Sequence, residues 1–487
     1  MKHYTPSGLQ QFLNILGRSS KYIIYYDPDI DGLFSGFLID RVLTHFKKQF
    51  SYIINKDREH GLKLTLEQIK KLKGFTLIMV DAFISEEEMK LLVDNGVNVI
   101  NIDHHDTKEN TLLHIKTDQA EGVKINNQYS FEPEEFRFLS GAGVIYYVIE
   151  SIWPGLFKED EKVMVGISLL SDVRPIENEV ARKFLHTVYT SKSEFSKYLI
   201  SVTRDTVDFG FGEIVLDRNF IDYTLSPKLN ALFRLNYNDF AVELVHGVKG
   251  LQNELSLFRT IQKDIQNSII DNLKYYPDSS NLSSLICGYV DKDLPLIHNA
   301  NITNFIGLAC SKVKNRGKTS ILFVKDNEKI LRGSLRGLAD NVDYLELCRS
   351  FGITCQGHKN AFGIQDIDKA VFNIKALNDV IKQEEMLYLK SKYKGRLLRI
   401  NNLAFFLKST NICIADTNNY VRDAFRFYVK YEGDLSNVRK IVKGKRIEYI
   451  IDGIPVLCFD ENIRLDRALI LPLKERGKYI QFYLQEY

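Results

Sequence analysis

Three short apolar runs near the start of the chain each end in an acid. Residues 21–26 (KYIIYY) lead into DPDIDG, residues 76–81 (TLIMVD) close on Asp81, and residues 97–103 (VNVINID) close on Asp103, which two histidines follow. Their length and their β-branched and aromatic content predict buried strands. The intervening LFSGFLIDRVLTHF and SEEEMKLLVDNG read as helices. The second opens with acids and stops at Gly96, the charge and capping order expected of a helix. Strand–helix–strand alternation at this spacing predicts a parallel sheet covered by helices. A fourth apolar run, residues 161–172 (EKVMVGISLLSD), ends in Asp172 and is read as a further strand end.

Beyond it, helical patterning continues to about residue 245. The proline-free stretch VKGLQNELSLFRTIQKDIQNSIIDNL predicts one long connecting helix, and PDSSNLSS at 277–284 marks a boundary. A second α/β unit follows, with the strands SSLICGYV and TSILFVKD. The remainder is rich in β-branched and aromatic residues between polar turns, which predicts a small, mostly-β module.

At 487 residues, 45% hydrophobic and 26% charged, the chain is expected to form several globular domains and is not of disordered composition. No run of eighteen apolar residues predicts a membrane span. The first twenty residues lack the apolar stretch and cleavage site of a secretory signal. The six cysteines, Cys287, Cys310, Cys348, Cys355, Cys413 and Cys458, are scattered with no C-x-x-C pair, so buried thiols in a reducing cytoplasm are expected. The net charge of +3 hides an asymmetry: residues 391–487 carry +7 and the rest −4. A basic tail module on an acidic body fits a metal-dependent enzyme with an appended polyanion-binding domain.

The candidate chemistry lies in the acids and histidines. Asp27, Asp29 and Asp31 stand in DPDIDG, then come Asp81, Asp103-His104-His105 and Asp172. Any one of these groups alone reads as a solvated turn or a surface residue. As a set they differ, because strand ends of one parallel sheet converge on the edge where ligands bind. Carboxylates mixed with imidazole suit Mn²⁺ or Mg²⁺. Crowded carboxylates repel one another, and two divalent cations are their natural neutraliser. The reaction class is metal-assisted phosphoester hydrolysis.

Asp103-His104-His105 resembles the signature of the DHH phosphoesterases. DPDIDG resembles their first motif, VDA (80–82) their second and LLSDVRP (169–175) their fourth. Further segments resemble the RecJ branch: KDREHGL (56–62), LSGAGVIYYVIE (139–150), SPKLNALFRL (226–235), NFIGLACSKV (304–313), RGSLRG (332–337) and QGHKNAFGI (356–364), the last like the glycine–histidine motif of the DHHA1 domain. The order is kept over roughly residues 20–370. The resemblance implies an α/β DHH catalytic domain (1–247), a connector helix (248–276), a smaller α/β DHHA1 clamp domain (277–388) and a C-terminal basic mostly-β module (389–487), for which an OB fold is one candidate. It implies a single-stranded-DNA-specific exonuclease that degrades 5′→3′ to mononucleotides with two Mn²⁺ or Mg²⁺ ions.

By the same resemblance Asp29 would hold one metal and Asp31 the other, Asp81 would bridge both, and His104 and Asp172 would complete the second. His105 would sit by the scissile phosphate as ligand or electrostatic stabiliser. Asp103 would orient an imidazole, and Asp27 would do likewise or shape the turn. Phosphate contacts are expected from Ser334, Arg336, Gly357, His358 and Arg234, with Lys228 and Arg58 as further candidates. Three departures stand out. Tyr25 occupies a position where many of these enzymes have histidine, Gln356 replaces the first glycine of the glycine–histidine motif, and Phe233 replaces the glycine before Arg234.

In the C-terminal module, Arg422, Phe425, Arg426, Phe427, Tyr428, Lys430 and Tyr431, with Lys443, Lys445, Arg446 and Tyr449, interleave charge and aromatic rings. That composition suits single-stranded nucleic acid and equally a half-buried strand. The expected partner is single-stranded nucleic acid, DNA favoured, with a helicase or a single-strand-binding protein as family expectations, no membrane, and a monomeric state. Two other classes stay open: a small-substrate phosphoesterase acting on short oligonucleotides, cyclic dinucleotides or phosphoadenosine phosphate, and a non-catalytic replication scaffold, which only Tyr25 favours.

Overall fold

The structure is a computed structural model. It describes all residues except 1–3, 19, 57–60, 108–110, 173, 175–177, 205–215, 277–281, 297–299, 315–317, 328, 340–341, 368–372, 393–396, 405–427, 444–445, 459–462, 464, 466–467, 476–477 and 487. At some further positions, His358 among them, only the backbone is described.

After α1 (Leu9–Arg18), the first sheet is built from β1 (Lys21–Tyr26), β2 (Gln49–Ile54), β3 (Thr76–Val80), β4 (Asn98–Asp103), β5 (His114–Lys116) and β6 (Glu121–Asn126). The strand order is β2-β1-β3-β4-β6-β5. All neighbours pair in parallel except the edge strand β5. β3, β4 and β6 are buried along their whole length, as a sheet covered on both faces requires. Tyr26 pairs with Val80 and Val80 with Ile102. The residue after each, Asp27, Asp81 and Asp103, therefore falls on one edge of the sheet.

α2 (Ile30–His45), α3 (Leu66–Lys71) and α4 (Glu86–Asp94) connect these strands. Every residue from Ile30 to Asp40 is buried, so α2 is a core helix with no polar stripe. Its entry is tight: a Cβ on Gly32 would stand 2.1 Å from the Asp27 carbonyl oxygen, which only glycine tolerates. α5 (Gly141–Ile152) and α6 (Glu159–Ser171) follow. Here the sequence reading needs correction. Residues 161–172 are not a strand but the body of α6, with Asp172 as its C-cap. Val163 through Leu170 are all buried, so no polar face betrays the helical period, and an apolar run of that kind reads equally well as a strand.

A helical layer continues with α7 (Glu179–Thr190), α8 (Glu194–Thr203) and α9 (Arg218–Phe220), then a π-helical stretch (Ile221–Leu225), α10 (Ser226–Arg234), α11 (Asn238–Val245) and α12 (Gln252–Asp271). α12 buries Leu255, Phe258, Ile261, Ile265 and Ile269 on one face.

The rest of the chain adds two sheets. The second comprises β7 (Lys274–Tyr275), β8 (Leu285–Asp291), β9 (Thr319–Asp326), β10 (Lys329–Arg336), β11 (Ile353–His358) and β12 (Ala361–Ile367), in the order β11-β12-β10-β9-β8-β7. It is accompanied by α13 (Ile306–Lys314), α14 (Tyr344–Ser350) and α15 (Ile374–Lys392). The third has seven strands, β13 (Leu397–Ile400), β14 (Tyr428–Tyr431), β15 (Arg439–Lys443), β16 (Arg446–Ile451), β17 (Ile454–Cys458), β18 (Ala468–Glu475) and β19 (Lys478–Glu486), in the order β13-β14-β18-β19-β17-β16-β15. Val429, Ile447, Tyr449, Val456 and Ile470 form its core.

Two compact units result: Met1–Lys274 with Gly288–Lys312 and Leu322–Gly333, and Tyr275–Cys287 with Val313–Ile321 and Ser334–Tyr487. Cys287, Cys310, Cys348, Cys355 and Cys458 are free and buried, and Cys413 lies outside the described residues. Among the described residues no helix is long and apolar enough to cross a membrane.

Candidate metal centre

Four acidic and imidazole side chains meet at the C-terminal edge of the first sheet. His104 Nε2 lies 2.9 Å from Asp81 Oδ1, 3.5 Å from Asp31 Oδ2 and 3.8 Å from Asp172 Oδ2. Two groups have ligand atoms mutually within 4.8 Å: Asp81, His104 and His105, and Asp31, His104 and Asp172. His104 belongs to both.

Each member is held by a distinct local device. Asp31, in the first turn of α2, points at the N-terminus of α5. Its Oδ2 accepts from the Gly141 amide at 2.7 Å, and its Oδ1 accepts from the Ala142 amide at 3.0 Å and from the Ser168 hydroxyl. A helix N-terminus supplies both free N–H groups and a favourable dipole for a carboxylate. Gly141 is required there, since a Cβ would stand 2.9 Å from Asp81 Cβ. Asp81 itself adopts a left-handed backbone with φ 52°, a strained conformation that Asp tolerates better than most residues. The turn is clamped from β4: the fully buried Asn101 donates through Nδ2 to Ala82 O at 2.8 Å and to Met79 O at 3.3 Å. Asp172 takes its place at the C-terminal end of α6, one turn beyond Ser168.

Asp103 turns away from this cluster. Its Oδ1 accepts from the His104 amide at 2.8 Å and faces His105 Nδ1 at 2.7 Å. The His105 carbonyl is fixed in turn by Asn126 Nδ2 at 3.0 Å. Asp27 accepts from the Gly61 amide at 3.2 Å, and Asp29 caps α2 by accepting from the Gly32 amide at 3.0 Å. Asp29 is in neither convergent group. Tyr25, at the position where histidine is frequent in the resembling family, is fully buried. Its hydroxyl faces Asn55 Oδ1 and Gly61 O and accepts from the Lys63 amide, so it anchors the chain around Gly61.

The electrostatics follow from burial. Burial, then the neighbouring Asp172 and Asp29, raise Asp31 to about 7, against the hydrogen bonds from Ser168 and Ala142. Burial and the surrounding carboxylates of Asp31, Asp29, Asp172 and Asp27 push Asp81 well above the ordinary range. Burial drops His104 to about 3, so its imidazole is neutral and its approach to Asp81 is not an ion pair. Burial would raise Asp103, but His105 and His104 hold it well below the usual range. Burial would lower His105, but Asp103 raises it to about 10.

The cluster fits divalent cations on two observations. Asp81 Oδ1 is buried with no hydrogen-bond partner although His104 Nε2 is 2.9 Å away. That is the spacing of about 3 Å between adjacent ligand atoms on one octahedral ion with ~2.1 Å bonds. Two carboxyls forced up by burial and mutual repulsion are groups that a cation, in place of protons, would relieve.

The other expected residues are distributed differently. In the second compact unit, Ser334 and Arg336 lie on β10 and Gly357 on β11, with β12 between the two strands: Arg336 Nη1 donates to Ser334 Oγ at 2.7 Å, and Ser334 Oγ donates to Phe362 O on β12 at 3.0 Å. Gly357 has φ 137°, and a Cβ there would stand 2.9 Å from Phe362 Cβ. Of His358 only the backbone, in β11 opposite Ala361, is described. Lys228 does not face solvent as a phosphate contact would. It is buried, and its ammonium donates to Thr203 O at 2.6 Å and Ser256 Oγ at 3.1 Å. Arg234 Nη1 bonds back to Asn230 O at 3.3 Å. Arg58, Arg422, Phe425, Arg426, Phe427 and Lys445 lie outside the described residues. Tyr449 is a core residue of the third sheet with the Lys440 ammonium 5.8 Å from its ring centroid, and the Tyr431 hydroxyl donates to Asp452 Oδ1 at 3.0 Å.

Sequence reasoning did not single out Ser168, Asn101 or the amide of Gly141. The glycines of GAG before an apolar helix were the available signal for an anion-binding helix start. Ser168 was hidden by the strand reading of α6, and Asn101 by its place inside an apolar run.

A carboxylate–imidazole cluster at the carboxyl edge of a parallel sheet is a candidate cation site in an α/β protein, and comparison with known proteins shows what the chain resembles. Residues 21–172 match the family model for the DHH family, N-terminal domain. No curated protein matches the sequence. RecJ from Thermus thermophilus in complex with Mn²⁺ is 17% identical with a TM-score of 0.67, covering 99% of this chain and 72% of that one. The Mg²⁺ complex from the same organism is 14% identical with a TM-score of 0.57, covering 99% and 70%. Exonuclease RecJ bound to manganese is 18% identical with a TM-score of 0.53, covering 79% of this chain and 96% of that one. Residues 21–172 therefore form a DHH-family N-terminal domain, in a chain whose fold is RecJ-like.

Proposed function

We propose that this protein is a cation-dependent phosphodiester hydrolase that degrades single-stranded DNA from its 5′ end to mononucleotides. The observation that carries the reading is the convergence of Asp31, Asp81 and Asp172 within 3.8 Å of His104 Nε2. These four residues would hold the cations, with Asp29 as the further carboxylate beside them. Bound Mn²⁺ or Mg²⁺ would generate the nucleophile from water and offset charge on the phosphoryl oxygens. The protein's own part is orientation. The α5 amides and Ser168 fix Asp31, the Asn101 clamp fixes Asp81, and Asp103 fixes His105 through Nδ1, leaving the other ring nitrogen free to donate. His105, half-exposed beside Asp81 and His104, would serve as a ligand or as an electrostatic stabiliser of the phosphate. Arg336, beside Ser334, is proposed to contact a substrate phosphate. The RecJ-like fold supports the single-strand reading, as does the basic third sheet.

The test is a 5′-labelled single-stranded oligonucleotide incubated with Mn²⁺, and its duplex as control. Release of labelled mononucleotide by wild type, abolished in Asp81→Ala, is expected. Equal degradation by Asp81→Ala would remove the metal assignment. Preference for dinucleotides over long strands would favour a small-substrate phosphoesterase instead.

A further inference from the structure

Phe83 lies in the turn by which the chain leaves the carboxylate cluster. It follows the left-handed Asp81 by two residues. Its neighbours Ala82 and Ile84 are fully buried, whereas Phe83 is 40% exposed. Its backbone lies against the site as well: a Cβ on Gly61 would stand 3.3 Å from the Phe83 carbonyl oxygen, and the Gly61 amide donates to Asp27. The ring is backed by a charge. The Lys124 ammonium, on β6, is 4.8 Å from the ring centroid, and Lys124 is fully buried, with its Nζ 3.5 Å from Ile84 O.

A single exposed ring is ordinary on a protein surface; what marks Phe83 is that its ring has a defined seat. The buried ammonium supplies part of it, since it attracts the π-face above it and fixes the ring over β6. The cation also draws electron density toward itself, which favours stacking of an electron-rich aromatic on the opposite face. The geometry points to Phe83 as a stacking platform for one nucleobase of the substrate, the base carried by a nucleotide next to the phosphate under attack. Such stacking is tolerant of sequence, because every base has a π-face. This rests on the nucleic-acid reading of the site above, and adds that the site grips a base and not only phosphates.

The test uses the full chain and short single strands in which one abasic nucleotide is moved from position to position. Affinity is read by fluorescence anisotropy in Ca²⁺, with gels to verify that the strands stay intact. Wild type should show one position where loss of the base weakens binding roughly tenfold or more. In Phe83→Ala that positional penalty should vanish while those elsewhere persist, and Phe83→Trp should restore it. Because the readout is a ratio within one variant, partial unfolding cannot imitate it. No such position in wild type, an undiminished penalty in Phe83→Ala, or an equal change at all positions would overturn the assignment. If wild type binds no strand of any kind, the nucleic-acid reading itself fails, and the platform with it.

Discussion

With divalent cations removed, one buried carboxyl should cost this protein stability as pH rises through the mildly acidic range. The group responsible is Asp31, 3% exposed and raised from 3.8 to about 7, chiefly by burial. In the cation-free fold it is most at ease protonated. Its contribution to stability is therefore complete below the ordinary carboxylate value and is lost as pH climbs to about 7. Between about pH 4.5 and pH 6.5 the loss from this one group is about 2 kcal/mol, since each pH unit inside that window removes up to about 1.4 kcal/mol. That is a sizeable part of a folding stability of roughly 5–15 kcal/mol. Asp81 moves in the same direction and adds to it. His105, raised to about 10, keeps its contribution up to the ordinary histidine range and loses it only above, whereas His104, lowered to about 3 by burial, gains about 2 kcal/mol across the same window because the unfolded imidazole gives up its proton there, so the Asp31 share is read from the difference between wild type and Asp31→Asn. The assay is the urea midpoint at both pH values, in EDTA and in Mn²⁺, for wild type and Asp31→Asn. In EDTA, going from the lower to the higher value should cost wild type about 2 kcal/mol more than it costs Asp31→Asn, and Mn²⁺ should cancel the difference. If cation-free wild type and Asp31→Asn change equally between the two values, the electrostatic account of the cluster is wrong.

Three further outcomes follow from the geometry. Asn101→Val deprives the carbonyls of Met79 and Ala82 of their side-chain donor and should lower stability by about 1–3 kcal/mol, at the low end because Asn101 Oδ1 is itself buried without a partner. Calorimetry should also show weaker Mn²⁺ binding, and an unchanged isotherm would deny the clamp. Gly141→Ala forces a Cβ to 2.9 Å from Asp81 Cβ and 3.0 Å from Ser35 Oγ, an overpacking of about 1–3 kcal/mol. Its Mn²⁺ affinity should fall while the circular dichroism spectrum is retained. Arg336→Ala, if the guanidinium grips substrate phosphate, should raise KM by about tenfold with kcat held, and a fall in kcat alone would assign Arg336 to maintaining the Ser334 strand.

What could be read from the sequence, and what could not, divides along a physical line. Asp27, Asp81 and Asp103 were legible because strands buried on both faces are unbroken apolar runs, and the first acid marks where each run leaves the core. Parallel register then does the rest, placing the three on one edge. The groups that hold the donors were not legible. Asp31 is gripped by amides and a hydroxyl 110 to 137 residues away, and nothing local to DPDIDG announces them. Asn101 reads as an imperfection in VNVINID until β3 lies beside it, when its amide meets the turn that Asp81 strains. Ser168 was lost with the strand reading of α6, whose buried flanks conceal its period. Lys228 shows the converse error: a basic residue in a phosphate-like motif faces inward, onto Thr203 and Ser256, because its direction depends on how α10 is rotated against the other helices. A motif thus names the atoms that would face a cation, whereas tertiary packing decides whether they are held. Substituting the holders, with every carboxylate and imidazole left in place, is therefore the sharper trial of this centre.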